Sequence, residues 1–465
     1  MRKLIKKHGR TLMSFILATA MIFSSSISVL AADTQTQTTS YSTVTEVFDW
    51  GAAVTKVIVD LGTTVPKNSV STDTFKAHVI RTENRANTKL LGDAEGDRKI
   101  TKAYTSDKDG NATDSGNYVA LEMEVGPDVS LGSPLNYDLV TSLNGWIDCK
   151  YTITQQKDIT TNSGKISGLV VNTFAGGTKN LVDDFSTGSA TYDNVTLKYA
   201  SYAPTKDNGK KPLIIWLHGM GEGGTDSLLP ISANKADNFA SKDMQSYFGG
   251  AYVLAPQAPT FWMDGFTGFG DGTSKYEKAL MSLIKDYVSE NSDIDTNRIY
   301  IGGDSNGGYM TMLMARDYTD YFAAAFPTCE ALKDTLITDS DIQKMKKLPM
   351  WFTAAKTDTT VIPANYVIPT YNRLVQAGAK NVHFSFFDNV IDTTGLYKKA
   401  DGTPYEYMGH WSWIYVYNNQ CTAIINGKVT TIMEWLANQP LNKVTIPQTS
   451  VTPTTVSQTI TVSQN

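Results

Sequence analysis

The spacing of apolar and polar positions along this chain changes once. From Tyr41 to roughly Asn180 they alternate every second residue. "NYVALEMEV" puts Val119, Leu121, Met123 and Val125 on one face and Tyr118, Glu122 and Glu124 on the other. "VTKVIVDLG", "FKAHVI" and "CKYTITQQ" repeat the alternation between Gly, Asn, Asp and Ser clusters, as half-buried strands joined by turns do. No amphipathic helix of useful length interrupts them. About seven short strands in ~130 residues predict an antiparallel sandwich.

From about Asp183 the period lengthens. "PLIIWLHG" is a continuous apolar run, as expected of a strand buried on both faces. In "KYEKALMSLIKDYVSEN", Tyr276, Leu280, Leu283, Ile284 and Tyr287 share a helical face. Strands "AYVLAPQAP", "RIYIGGD", "FAAAFPTC", "LPMWFTAAKTD" and "VHFSFFD" alternate with helices "NGGYMTMLMARDY", "PANYVIPTYNRLVQAGA" and "TTIMEWLANQ". That alternation predicts a mainly parallel sheet flanked by helices. The chain therefore divides into a leader over 1–32, a sandwich of immunoglobulin-like general form over 41–180, an α/β domain over 183–440 and a Thr/Ser-rich tail over 441–465, expected to be flexible.

Composition adds little to this except at the N-terminus. Hydrophobic content of 41% and charged content of 19% are those of a globular protein. The first ten residues hold five basic side chains and no acid; an apolar run, Leu12 to Phe23, follows, and Ala31 and Ala32 close it. This is the layout of a secretory signal peptide cleaved near Ala31 or Ala32, and the run is short for a membrane span. Loss of the five leader charges takes the net charge from −5 to about −10, which argues against nucleic acid as a partner. The expected mature chain is extracellular, with no membrane segment. Three cysteines, Cys149, Cys329 and Cys421, are too few for a disulfide framework, and whether Cys329 and Cys421 pair is left open. No Cys/His cluster has metal-ligand spacing, so neither a metal nor a cofactor is expected.

The chemistry concentrates at "GGDSNGGYM". Gly303-Asp304-Ser305-Asn306-Gly307 matches G-x-S-x-G with a strand before it and a helix after it, the setting in which a tight turn lifts a serine hydroxyl to a helix N-terminus. A serine nucleophile needs a base oriented by an acid, here in the chain order Ser, acid, His. Of five histidines, His8 lies in the leader, His78 in the sandwich and His383 at the wrong end of its strand. His410, in the loop after the last strand, is the well-placed base, and His218 is expected to brace its loop. Asp358 ends the strand before and is favoured over Asp388 and Asp392. Two backbone N–H groups must face the oxyanion. Asn306 follows the nucleophile, and Met220 is the X of H-G-X-G in "HGMGEGG". The lysine and hydroxyl residue of a phosphate loop are missing there.

"WLHGMGEGG", "APQAP", "IYIGGDSNGGYM", "TAAKTDTTVIP" and "GHWSWIYVYNN" together resemble the α/β-hydrolase serine esterases, in the prolyl-oligopeptidase-like and feruloyl-esterase-like branch. "FDWGAAVTKVIVDLG" is similar to the immunoglobulin-like N-terminal domain of some secreted bacterial carboxylesterases. The resemblance spans roughly residues 45 to 438. It implies an α/β-hydrolase fold with Ser305 as nucleophile, His410 as base and Asp358 as acid. It also implies an N-terminal domain that leans over the active site or mediates self-association. The loop departs from the H-G-G-G pattern of many lipases at Met220.

The partner expected is an ester, either a small molecule or one linked to polysaccharide. Phe261, Trp262 and Trp411 are the candidate substrate contacts, with Phe266, Phe269, Tyr397, Tyr405 and Tyr407 on the same loops. Without a long apolar lid, short-chain carboxylesters or plant-polysaccharide acyl esters fit better than triglyceride. A peptidase of the prolyl-oligopeptidase-like group and a non-catalytic glycan-binding protein are the alternatives.

Overall fold

The computed structural model describes residues 39–441, Ser163 excepted; the leader and almost all of the tail lie outside the described residues. The described residues, from Thr39 to Leu441, form one compact unit.

The N-terminal part is a sandwich. A five-stranded sheet faces a four-stranded one built on Phe75–Thr82 and Asp148–Gln155. The nine strands of these two sheets exceed the seven expected, because the sequence pattern does not resolve short edge strands such as Glu95–Arg98 and Val170–Val171. Strand Ser115–Met123 buries Val119, Leu121 and Met123 as its alternation predicts, but Ala120 is buried too. A small residue there leaves room for neighbouring side chains on the second face. Between Leu135–Asp138 and Leu143–Trp146 the chain makes a separate hairpin. Arg85 ties its two strands together, donating to the carbonyls of Leu143 (3.1 Å) and Asn136 (2.8 Å).

The second part is an eight-stranded sheet. We number its strands β1 (Ser186–Tyr192), β2 (Val195–Tyr202), β3 (Lys211–Leu217), β4 (Tyr252–Gln257), β5 (Ile294–Asp304), β6 (Ala324–Thr328), β7 (Met350–Ala355) and β8 (Val382–Phe387). Their spatial order is β1-β2-β4-β3-β5-β6-β7-β8; β2 runs antiparallel to β1 and β4, and every pair from β4 to β8 is parallel. All seven residues of β3 are buried, the physical meaning of its unbroken apolar run. Helix Glu277–Glu290 packs the predicted Leu280, Leu283, Ile284 and Tyr287 against the sheet. Cys149, Cys329 and Cys421 are all free thiols, which resolves the open question of a Cys329–Cys421 bond. Cys421 instead lies 3.4 Å from the Thr353 hydroxyl.

Sandwich and sheet meet over a small apolar cluster, Ala52 and Leu135 against Leu229 and Ala233. Polar ties flank it. Lys235 donates to both Asp49 (3.2 Å) and Asn418 (2.8 Å), and Tyr405 donates to Asp128 (2.8 Å).

Ile215 is fully buried in central strand β3. Ile215→Ala should lower unfolding free energy by about 2–5 kcal/mol, the range for emptying a packed core site. In urea this reads as a lower midpoint at an unchanged slope.

Candidate active site

Four loops carry the candidate residues, and all leave the carboxyl ends of parallel strands. Met220 follows β3, Ser305 follows β5, Asp358 follows β7 and His410 lies in the segment after β8. Since β3 and β5 are neighbours, Met220 and Ser305 come together; the acid and the base arrive from the other side.

The Ser305 turn is sterically determined. Ser305 sits at φ 54°, ψ −113°, between β5 and helix Asn306–Asp317. Its N–H donates to the Thr328 carbonyl at 3.0 Å, which anchors the turn to β6. A side chain at Gly307 would begin 1.8 Å from the Leu217 carbonyl oxygen, and one at Gly303 only 2.6 Å from the same atom. Only glycine lets helix and strand approach this closely, so both glycines of the motif have a steric cause.

His410 lies between the other two side chains. Its Nε2 is 2.9 Å from Ser305 Oγ and its Nδ1 is 2.8 Å from Asp358 Oδ2. An ionised carboxylate can only accept, so Nδ1–H donates to Asp358 and Nε2 is left free to take the serine proton. The second Asp358 oxygen accepts from the N–H groups of Thr360 and Val361, both at 2.9 Å, which fixes the carboxylate plane. Trp413 packs edge-on to the His410 ring at 5.4 Å. The rival acids are occupied elsewhere. Asp388 pairs with Lys356, and Asp392 accepts from Thr394 and the Gly395 N–H.

Met220 opens a short 3-10 turn, Met220–Glu222, and Asn306 opens the helix after the serine. The N–H of a first helical residue has no carbonyl partner within its own helix, so both are free to meet an oxyanion. His218 braces this region. Its Nδ1–H donates to the Gly219 carbonyl (2.5 Å) while Nε2 accepts from Ala258 N–H (3.0 Å). Burial pushes its pKa down to about 4, so it stays neutral.

Of the three candidate substrate contacts, Trp262 requires correction: it is 0% exposed and cannot touch a ligand. Its backbone N–H donates to the Asn306 side-chain oxygen (2.6 Å) and its indole N–H to the His218 carbonyl (3.2 Å). It is a clamp between the two donor loops. An aromatic on a loop reads alike whether it points outward or inward, so sequence could not separate these roles. Phe261 stacks on Phe266 at 4.8 Å and Trp411 stacks between Tyr407 and Trp413; both are partly exposed.

Sequence reading also passed over two buried carboxyls behind the oxyanion loop. Asp304 and Glu222 both face Gly219: their oxygens lie 2.6 and 3.2 Å from where its side chain would begin. Burial, then the neighbouring Glu222, pushes Asp304 well above the ordinary carboxyl range, and burial raises Glu222 as well. Both therefore favour their neutral forms, which keeps negative charge away from the site where an oxyanion would form. Neither residue had a sequence signal: Asp304 is a variable position of G-x-S-x-G, and Glu222 lies just beyond H-G-X-G.

Fold and site together define a serine hydrolase of the α/β-hydrolase fold, preceded by an immunoglobulin-like domain. Residues 40–168 match the esterase Ig-like N-terminal domain and residues 279–375 match the prolyl oligopeptidase family. Among solved structures, a thermostable esterase is 26% identical with a TM-score of 0.70, over 86% of this chain and 99% of that one. Two curated proteins are also similar. A poly(3-hydroxybutyrate) depolymerase of Ralstonia pickettii is 31% identical over 26% of this chain and 25% of its own. A poly(3-hydroxyalkanoate) depolymerase C of Paucimonas lemoignei is 26% identical over 45% of this chain and 55% of its own. The chain thus matches about half or less of each curated relative's length.

Two substitutions test the geometry. Gly307→Ala, which would place a carbon 1.8 Å from the Leu217 oxygen, should prevent correct folding or abolish activity. Soluble yield and circular dichroism distinguish the two. Asp358→Asn should preserve the fold but lower kcat on the order of 10³–10⁴-fold, by turning the imidazole to the wrong tautomer.

Proposed function

We propose that the chain is a secreted serine carboxylesterase that hydrolyses short-chain carboxylic esters through an acyl-enzyme. The observation that carries this reading is His410 within 3 Å of both Ser305 Oγ and Asp358 Oδ2. Ser305 Oγ attacks the ester carbonyl while His410 Nε2 takes its proton. The carbonyl oxygen, now negative, is held by the Asn306 and Met220 N–H groups. As the tetrahedral species collapses, His410 returns the proton to the departing alkoxide, which leaves as the alcohol. Water then attacks the acyl-Ser305 ester, His410 takes its proton, and the acid leaves as Ser305 regains its hydrogen. Throughout, Asp358 stabilises the imidazolium. The export reading rests on the leader, and we further propose self-association through the N-terminal domain.

A second reading is cleavage of hydroxyalkanoate polyester. The similarity to two poly(hydroxyalkanoate) depolymerases favours it. So does Met408, 57% exposed and two residues before His410, which offers apolar surface to a polymer chain.

Nitrophenyl acetate, butyrate, octanoate and ferulate, suspended polyhydroxybutyrate and a peptide anilide, each assayed with wild type and Ser305→Ala, separate the readings. We expect turnover that falls with acyl length and vanishes in the variant. Preference for ferulate would move the substrate to plant polysaccharide, and release of hydroxybutyrate would establish the polyester reading. Inactivity on every ester would reject the esterase and leave the peptidase or glycan-binding alternatives.

A further inference from the structure

The hairpin of the N-terminal sandwich reaches the oxyanion loop. Asn144, on its second strand, donates from Nδ2 to Glu222 Oε1 at 3.0 Å, across 78 residues of sequence. The two pieces fit closely: a side chain at Gly221 would begin 2.8 Å from the Asn144 amide. Glu222 closes the same short turn that Met220 opens. Its backbone carbonyl accepts from Gln257 at 2.8 Å, so Asn144 and Gln257 hold the turn from opposite ends of one residue.

The support behind Asn144 is rigid. Arg85 bridges both hairpin strands and is itself paired with Glu83 at 2.7 Å. Asn136, on the first strand, donates to the same carboxylate at 2.7 Å. Glu83 is lowered to about 2, with the Arg85 hydrogen bond as the largest cause, so this clamp is ionised at any working pH.

We propose that Asn144 is a positioning residue for ester hydrolysis: by holding Glu222 it places the Met220 N–H against the developing oxyanion. The N-terminal domain is then part of the reacting assembly. The inference rests on the esterase reading above. A displaced donor weakens transition-state binding more than substrate binding, since the oxygen becomes an anion only on the way to the tetrahedral species.

The test uses the full chain with nitrophenyl acetate. Asn144→Ala should lower kcat about tenfold, less than outright loss of an oxyanion donor, with KM within about twofold. Asn144→Asp supplies the signature that packing alone would not. The titratable and charged groups around this spot are Glu222, Asp304 and, behind Asp304, Tyr417 and Cys329, with Tyr137 and Arg85 on the hairpin side. An aspartate beside these carboxyls donates a hydrogen bond only when protonated. The ratio of variant to wild-type kcat should therefore rise as pH falls from 8 to 5.5, since any pH effect common to both enzymes cancels in it. Unchanged kcat in Asn144→Ala overturns the inference alone, provided wild type is active. So does a loss in both variants with a pH-independent ratio, which would mean packing rather than a hydrogen bond. An inactive wild type overturns this inference and the esterase reading together.

Discussion

Ser305 is held at φ 54° in a turn that its two flanking glycines let close against β3. A non-glycine residue in such a conformation costs of order 1–3 kcal/mol and persists only where its surroundings over-determine it. Here they do. The Ser305 amide is bonded to β6, the helix that follows is buried along nearly its whole length, and Leu217 on β3 blocks any larger residue at Gly307. The oxyanion loop must leave β3 beside it, and the acid and base must come from β7 and beyond β8. The arrangement of the whole sheet follows from that one crowded turn.

The region behind the turn is low in dielectric and contains two carboxyls. Ionised, they would set negative charge against an oxyanion; buried, they resist ionisation. The Trp216 indole and the Tyr417 hydroxyl lie near Asp304 in the core, but neither meets hydrogen-bond geometry with it. Trp262, Gln257 and Asn144 each bond to the donor loops from outside them, and His218 ties the Met220 loop to Ala258. Precision of the donors therefore comes from many modest contacts rather than from one strong one.

Much of this was readable from local pattern. The change from a period of two to strand-helix alternation separates the sandwich from the α/β sheet because burial on one face and burial on two leave different apolar spacing. G-x-S-x-G in its strand-turn-helix setting pointed to Ser305, since only a crowded turn demands small residues at both flanks. With five histidines in the chain, elimination by position left His410, and its hydrogen bonds to Ser305 and Asp358 are those the chain order requires. Loop aromatics were harder. Trp262 and Trp411 carry the same local signal, yet one is sealed and the other partly exposed.

By itself, then, the sequence determined what depends on neighbours within a few residues: strand and helix period, the tight serine turn, and the order of the reacting groups. Tertiary structure decided what depends on residues far apart in the chain. It set which aromatics face solvent, left Cys329 and Cys421 as free thiols, placed Asp304 beside Glu222, and brought Asn144 to the Met220 loop. The physical reason is that burial and hydrogen-bond partnership across 78 residues, as between Asn144 and Glu222, leave no periodicity or spacing in the chain.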